Sequence, residues 1–257
     1  MKILYGKFFL FLVCLLLIVS CGSRKKIAYL QDIGNSGEAG SAVSFEPVLQ
    51  PDDLLSIIVS AETPEVTVPF NMPAIQGNYE VNNNQNGIKT YLIDNTGNID
   101  FPVIGKIKLG GLTRSQAISK LVQAVAEYVN NPGINLRILN FKVSVLGEVI
   151  KPGTFTIQSE RITLLEALSM SGDLTIYGKR DNILVIREAE GKKSYNRVDI
   201  TKSDFINSPF YYLTQNDIIV VEPNQTRVNA SIIGPNISVA ISALSLLLTV
   251  IVLISRN

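Results

Sequence analysis

Carboxylates are the side chains best suited to acid–base chemistry in this sequence, because its 257 residues include no histidine. Asp94 with Asp100, and Glu148 with Glu160, are close enough along the chain to be weighed as the two acids of a glycoside hydrolase. The missing histidine excludes Ser-His-Asp and Cys-His nucleophiles and any histidine-ligated metal. Both cysteines, Cys14 and Cys21, lie in or beside an apolar N-terminal run, which leaves no disulfide or Cys-rich metal site in the mature chain. No metal and no cofactor are expected, and no catalytic residue is assigned. Asp94 is better explained by a turn and Glu148 by a hairpin than by catalysis.

The elements around these acids support that reading. Asp94-Asn95-Thr96-Gly97-Asn98 is a turn signal between Tyr91-Leu92-Ile93 and Ile99-Asp100-Phe101. Thr113 and Gln116 form a capping box ahead of a helix with Ala117, Leu121, Val125 and Val129 on one face. Strands are expected over Ile134–Leu139 and Val143–Leu146. Gly147 through Gly153 holds Pro152-Gly153 in the order of a type II turn, so a second hairpin is expected. A second capping box, Thr163 with Glu166, opens a helix stopped at Gly172, and strands Ile183–Ile186, Tyr195–Val198 and Ile218–Val221 follow. Each unit thus reads as a hairpin, a capped helix and further strands, an α+β pattern with one helix on a small mixed sheet. Gln50-Pro51-Asp52-Asp53-Leu54 and Gln215-Asn216-Asp217-Ile218 echo each other. In both, a residue tolerant of left-handed backbone precedes an aspartate and an apolar strand.

The ends read as membrane elements. Residues 1–20 have a basic start and a short apolar run, as a removed signal does. Ile18-Val19-Ser20-Cys21-Gly22 resembles the bacterial lipobox, which makes Cys21 the expected lipid attachment. Removal of Lys2 and Lys7 turns the formal charge of +1 into −1, a poor balance for a nucleic-acid partner. At the other end Ile237–Ile254 runs 18 residues without a charge, about 27 Å of helix, barely a bilayer core. Ser238, Ser242, Ser245 and Thr249 fall on one stripe of that helix. The stripe fits helix packing, a water-filled lumen, or a tail anchor whose hydroxyls bond back to their own backbone.

Several segments together resemble a known family. Pro51 to Val59 is similar to the opening of the polysaccharide export domain. IDNTGNIDFPVIGKI around Asp94 to Gly105, with Gly97 and Pro102, looks like its central hairpin, and Gly111-Leu112-Thr113, Tyr128 and Asn131-Pro132 continue the match. GEVIKPGTF, Gly147 to Phe155, resembles the start of the soluble-ligand-binding β-grasp (SLBB) domain. The chain is identified on these motifs with the outer-membrane polysaccharide export lipoproteins of the Wza type. Asp52 and Asn216 stand where that family usually has glycine, and only one β-grasp unit is present.

The resemblance implies a signal peptide over 1–20, a lipidated N-terminus and linker over 21–44, an export domain over 45–140, a β-grasp domain over 141–226 and a C-terminal transmembrane helix over 232–257. It implies a homo-oligomeric ring, typically octameric, whose C-terminal helices form an α-helical barrel through the outer membrane. The hydroxyl stripe would line it. Capsular or secreted polysaccharide would pass from periplasm to surface, supplied by an inner-membrane copolymerase of the tyrosine-kinase type, with no chemistry by the channel itself. Asp53, Asp94, Gly97, Pro102, Gly105, Gly147, Pro152 and Gly153 are then structural motif residues. Two rivals remain at this level: a monomeric β-grasp glycan-binding module anchored at both ends, and the carboxylate hydrolase.

Overall fold

The computed structural model describes residues 27–33, 45–71, 90–189, 191–233 and 236–255. Cys21, the signal segment and most of the linker lie outside these residues.

The first domain is built on β1 (Leu54–Ser60), whose Leu55, Ile57 and Val59 point into the core while Leu54 and Ile58 face away. After a 3-10 turn (Pro64–Thr67) and the single turn α1 (Val68–Asn71) come β2 (Thr90–Leu92), β3 (Asn98–Phe101) and β4 (Gly105–Lys108). Helix α2 (Arg114–Val125) and strand β5 (Gly133–Ile138) complete the unit. Strand β1 is flanked by β2 and β5, both antiparallel, so this sheet is not mixed. The capping box forms, with Thr113 and Gln116 exchanging bonds of 3.0 and 3.3 Å. Ala117, Leu121 and Val125 bury the inner face of α2 against Leu55, Ile57 and Leu136.

The hairpin in this domain falls one turn later than the sequence suggests. Strand β3 pairs with β4, Phe101 opposite Gly105, whereas β2 pairs with β1. The Asp94 turn is nevertheless closed: the Asp94 carboxylate accepts the Thr96 and Asn98 amides at 2.9 and 2.8 Å. Those bonds hold the carboxyl below the usual aspartate range, the Thr96 side chain contributing most.

The second domain contains β6 (Lys142–Gly147), β7 (Gly153–Thr156), β8 (Ile162–Thr163), α3 (Leu164–Met170), β9 (Gly178–Ala189) and β10 (Lys192–Val198). A 3-10 turn (Ser203–Asn207), β11 (Tyr212–Leu213) and β12 (Ile218–Pro223) follow. The main sheet runs β10-β9-β12-β6-β7, antiparallel except for β12 beside β6, and α3 packs its Leu164, Ala167 and Leu168 onto it. The β6–β7 hairpin is present, but Pro152-Gly153 is not a type II turn. Gly153 already pairs with Val145 in the ladder, and the left-handed residue is Gly147 (φ 92°) at the other end of the loop. There its missing side chain lets the Val221 carbonyl in; a Cβ would sit 2.1 Å from that oxygen.

Two helices close the chain, α4 (Gln225–Ile233) and α5 (Asn236–Ser255). Among the described residues no helix is long and apolar enough to cross a membrane. This overturns the expected C-terminal transmembrane helix over 232–257, and the expected helical barrel falls with it. Helix α5 has 20 residues, about 30 Å; it begins at an asparagine, ends at a serine and carries Ser238, Ser242, Ser245 and Thr249 between. Both α+β domains stand.

Candidate functional site

Most of the motif residues shape backbone. Asp52 and Asn216 adopt left-handed φ of 69° and 63°, and the aspartate after each, Asp53 or Asp217, is fully buried. Asp53 accepts the Gln50 amide at 2.8 Å and Asp217 the Thr214 amide at 2.8 Å, three residues back in each case. The two turns start β1 and β12. Asp217 is also gripped by Arg187, whose Nε and Nη2 approach the carboxylate at 3.0 and 2.7 Å. Gly97 (φ 86°) receives Gly110 so closely that a Cβ on Gly110 would lie 2.7 Å from the Gly97 Cα. Gly105 (φ 83°) and Pro102 turn β3 into β4.

Three of the four candidate acids are engaged by other groups. Glu148 is held by Arg227 at 3.1 Å and the Thr175 hydroxyl at 2.8 Å, and Glu160 by Arg114 at 3.2 Å. Asp94 is spent on its turn, while Asp100 stands opposite Lys106 on an exposed face. Two hydroxyls of the stripe bond back to their own helix. Ser245 donates to the Ser242 carbonyl and Thr249 to the Ser245 carbonyl, both at 2.8 Å. Ser238 belongs to α5, but its side chain is outside the described set.

What the structure does bring together is the junction of the domains. Asn140 lies between β5 and β6. Its side chain accepts the Leu54 amide (2.9 Å) and donates to the Asp52 carbonyl (2.8 Å), while its own carbonyl accepts Gln215 Nε2 (2.9 Å). Gln215 in turn accepts the Lys142 amide at 2.8 Å. One residue therefore ties both left-handed turns together.

Beside this junction opens a cleft of about 510 Å³, within the range of small-ligand sites, about 300–1,000 Å³. Ile138 comes from the end of β5, Leu139 and Phe141 from the link between β5 and β6, and Gln158, Ser159 and Glu160 from the loop after β7. Arg114 and Arg137 enter from the first domain. Neither arginine was singled out in the sequence, since they are 23 residues apart and only the α2–β5 packing makes them neighbours of one cavity.

A second contact joins the chain's beginning to the second domain. Leu30 and Gln31 donate to the Ile200 and Thr201 carbonyls at 3.2 and 2.7 Å, and Asp32 caps the Ser203 amide. Tyr29 donates to Asp173 and lies under the Arg180 guanidinium, 5.4 Å from its ring centre. Burial first, then the Asp173 bond, pushes the Tyr29 hydroxyl up to about 12. Within the expected lipidated N-terminus and linker over 21–44, residues 27–33 form a strap on the second domain.

Two family models match these two domains. The polysaccharide biosynthesis/export protein family matches residues 41–139, and the SLBB domain matches residues 141–221. The chain belongs to the polysaccharide export family. It is similar to the EPS I polysaccharide export outer membrane protein EpsA of Ralstonia solanacearum, 30% identical over 179 residues covering 67% of this chain and 47% of the relative. The protein of that name from Ralstonia nicotianae (strain ATCC BAA-1114 / GMI1000) is 30% identical over 141 residues, 52% of this chain and 37% of its own length. The chain thus matches less than half the length of each relative.

Proposed function

We propose that this chain is a component of an outer-membrane exporter of extracellular polysaccharide, acting by guiding the polymer and not by transforming it. The observation that carries the reading is the order of an export domain and an SLBB domain along one chain that is similar to proteins named for EPS I polysaccharide export at the outer membrane. The commitment of Asp94, Glu148 and Glu160 to turns and ion pairs supports a non-enzymatic role. In this reading Cys21 carries the lipid that holds the protein at the outer membrane, with the domains in the periplasm. Copies of the chain close into a ring, eight by the family resemblance, around the passing polymer. An inner-membrane copolymerase of the tyrosine-kinase type feeds it. Secreted exopolysaccharide is favoured over capsule because the relatives are named for it.

The test is deletion of the gene with measurement of surface and periplasmic polysaccharide. Loss at the surface with accumulation inside supports export, and unchanged surface polymer overturns it. Detergent-extracted protein imaged as single particles decides the assembly: closed rings support the ring, while monomers would turn the chain into a tethered glycan-binding module. Labelled palmitate should enter the wild type and not Cys21→Ser.

A further inference from the structure

We propose that the cleft between the two domains binds a sugar ring carrying a carboxylate, so that acidic residues of a passing polysaccharide dock there; for the source of the ligand this rests on the export reading above. The cleft supplies the two chemistries such a ring needs. Ile138 and Leu139, lying over the buried Phe141, offer apolar surface to the C–H face of a pyranose, and Gln158 and Ser159 offer hydrogen bonds to its hydroxyls. Arg114 and Arg137 offer planar, always-charged forks that match a carboxylate.

The state of the two arginines is what points to an anion. The Arg137 side chain is exposed and makes no hydrogen bond or ion pair among the described residues, its backbone alone being held in the β1–β5 ladder. Arg114 is aimed: its Nε donates to the Leu136 carbonyl at 2.9 Å, which fixes the guanidinium beside the backbone of Arg137's own strand. Its Nη2 pairs with Glu160, across the cleft at 3.2 Å, a carboxylate that is 61% exposed, and the charge of Glu46 is also felt from beyond hydrogen-bond distance. A single-contact pair with so exposed a carboxylate is weak, so a ligand carboxylate can displace Glu160 at little cost. Glu160 marks where the ligand's carboxylate goes.

The experiment titrates the purified full chain with trigalacturonate, with maltotriose and with a sulfated trisaccharide, followed by calorimetry. Trigalacturonate should bind at least about tenfold more tightly than maltotriose. It should also bind more tightly than the sulfated sugar, which has the charge but not the planar carboxylate. Arg137→Gln should weaken trigalacturonate about tenfold, Arg137→Lys should recover only part of that, and Glu160→Gln should strengthen it several-fold. Lys193→Gln, on β10 at the opposite edge of the second sheet, should change nothing. Equal binding of neutral and acidic sugars, an unaltered Arg137→Gln variant, or an equal loss in Lys193→Gln would overturn the proposal. Absent binding alongside loss of surface polysaccharide in the deletion strain removes the cleft and leaves the export reading. Binding that follows this pattern with unchanged surface polysaccharide supports the cleft and removes the export reading.

Discussion

Asp53 and Asp217 close two turns of one hydrogen-bonding pattern, yet only Asp217 faces an arginine. Each is wholly buried and caps the amide three residues before it. Asp217 has Arg187 against both oxygens, whereas Oδ1 of Asp53 meets no donor among the described residues. Desolvation therefore governs Asp53 and pushes its carboxyl up to about 6, against an ordinary 3.8.

The sign of the pH effect follows. Between about pH 4 and 6 the unfolded chain has lost the Asp53 proton and the folded chain keeps it, so stability falls as pH rises through that window. Two pKa units correspond to about 3 kcal/mol. Urea unfolding at pH 4.5 and 7.5 should show the fall in the wild type, and Asp53→Asn should remove the part due to this residue. Asp217→Asn should instead destabilise at pH 7.5, by about 3 kcal/mol, because it leaves Arg187 without its countercharge. A wild-type slope that survives in Asp53→Asn would assign the pH dependence elsewhere.

Asn140→Ala removes both side-chain bonds to the first domain and keeps the carbonyl that holds Gln215. At about 1 kcal/mol per bond the cost is about 2 kcal/mol. The more telling change is in calorimetry, where one cooperative transition should separate into two as the domains uncouple. A single transition, merely shifted, would show that the packing of Ile138 on both cores is sufficient coupling.

Two glycines with similar backbone should respond differently to alanine. Gly147 and Gly105 have φ of 92° and 83°, but a Cβ on Gly147 would strike the Val221 carbonyl, while one on Gly105 meets nothing within 4 Å. Gly105→Ala should cost about 1 kcal/mol from backbone strain alone. Gly147→Ala must also break the β6–β12 pairing and should cost over about 3 kcal/mol. Thermal midpoints of the two variants compare them directly.

Tyr29→Ala should free the strap. The Leu30 and Gln31 amides, bonded to Ile200 and Thr201, should exchange slowly with deuterium in the wild type and quickly in the variant. Alkali should do the same to the wild type. Because the folded Tyr29 hydroxyl is raised from 10 to about 12, docking is complete below pH 10 and weakens as pH rises through 12. Increased tryptic cleavage after Arg24, Lys25 or Lys26 in Tyr29→Ala would report the release at neutral pH.

What could be read in advance was local. Thr113 with Gln116 and Thr163 with Glu166 announce their helices because a capping box is written within four residues. The left-handed backbone at Asp52 and Asn216 was legible for the same reason. The pairing of β3 with β4 was not, since the Asp94 turn and the Pro102–Gly105 turn carry comparable signals and only the three-stranded sheet claims β2. Nor were the long-range contacts: Asn140 to Asp52 and Arg114 to Glu160 across the junction, and Arg187 to Asp217 within the second domain, join residues whose separation along the chain says nothing of their distance.

The strap changes how force travels through the molecule. Tension applied ahead of residue 27 arrives at the second domain through the backbone bonds of Leu30 and Gln31 and the Tyr29 clasp. The first domain, though it comes next along the chain, is left outside that load path. Drag on the N-terminal end is therefore borne by the five-stranded sheet, while the three-stranded domain and its cleft side keep their geometry.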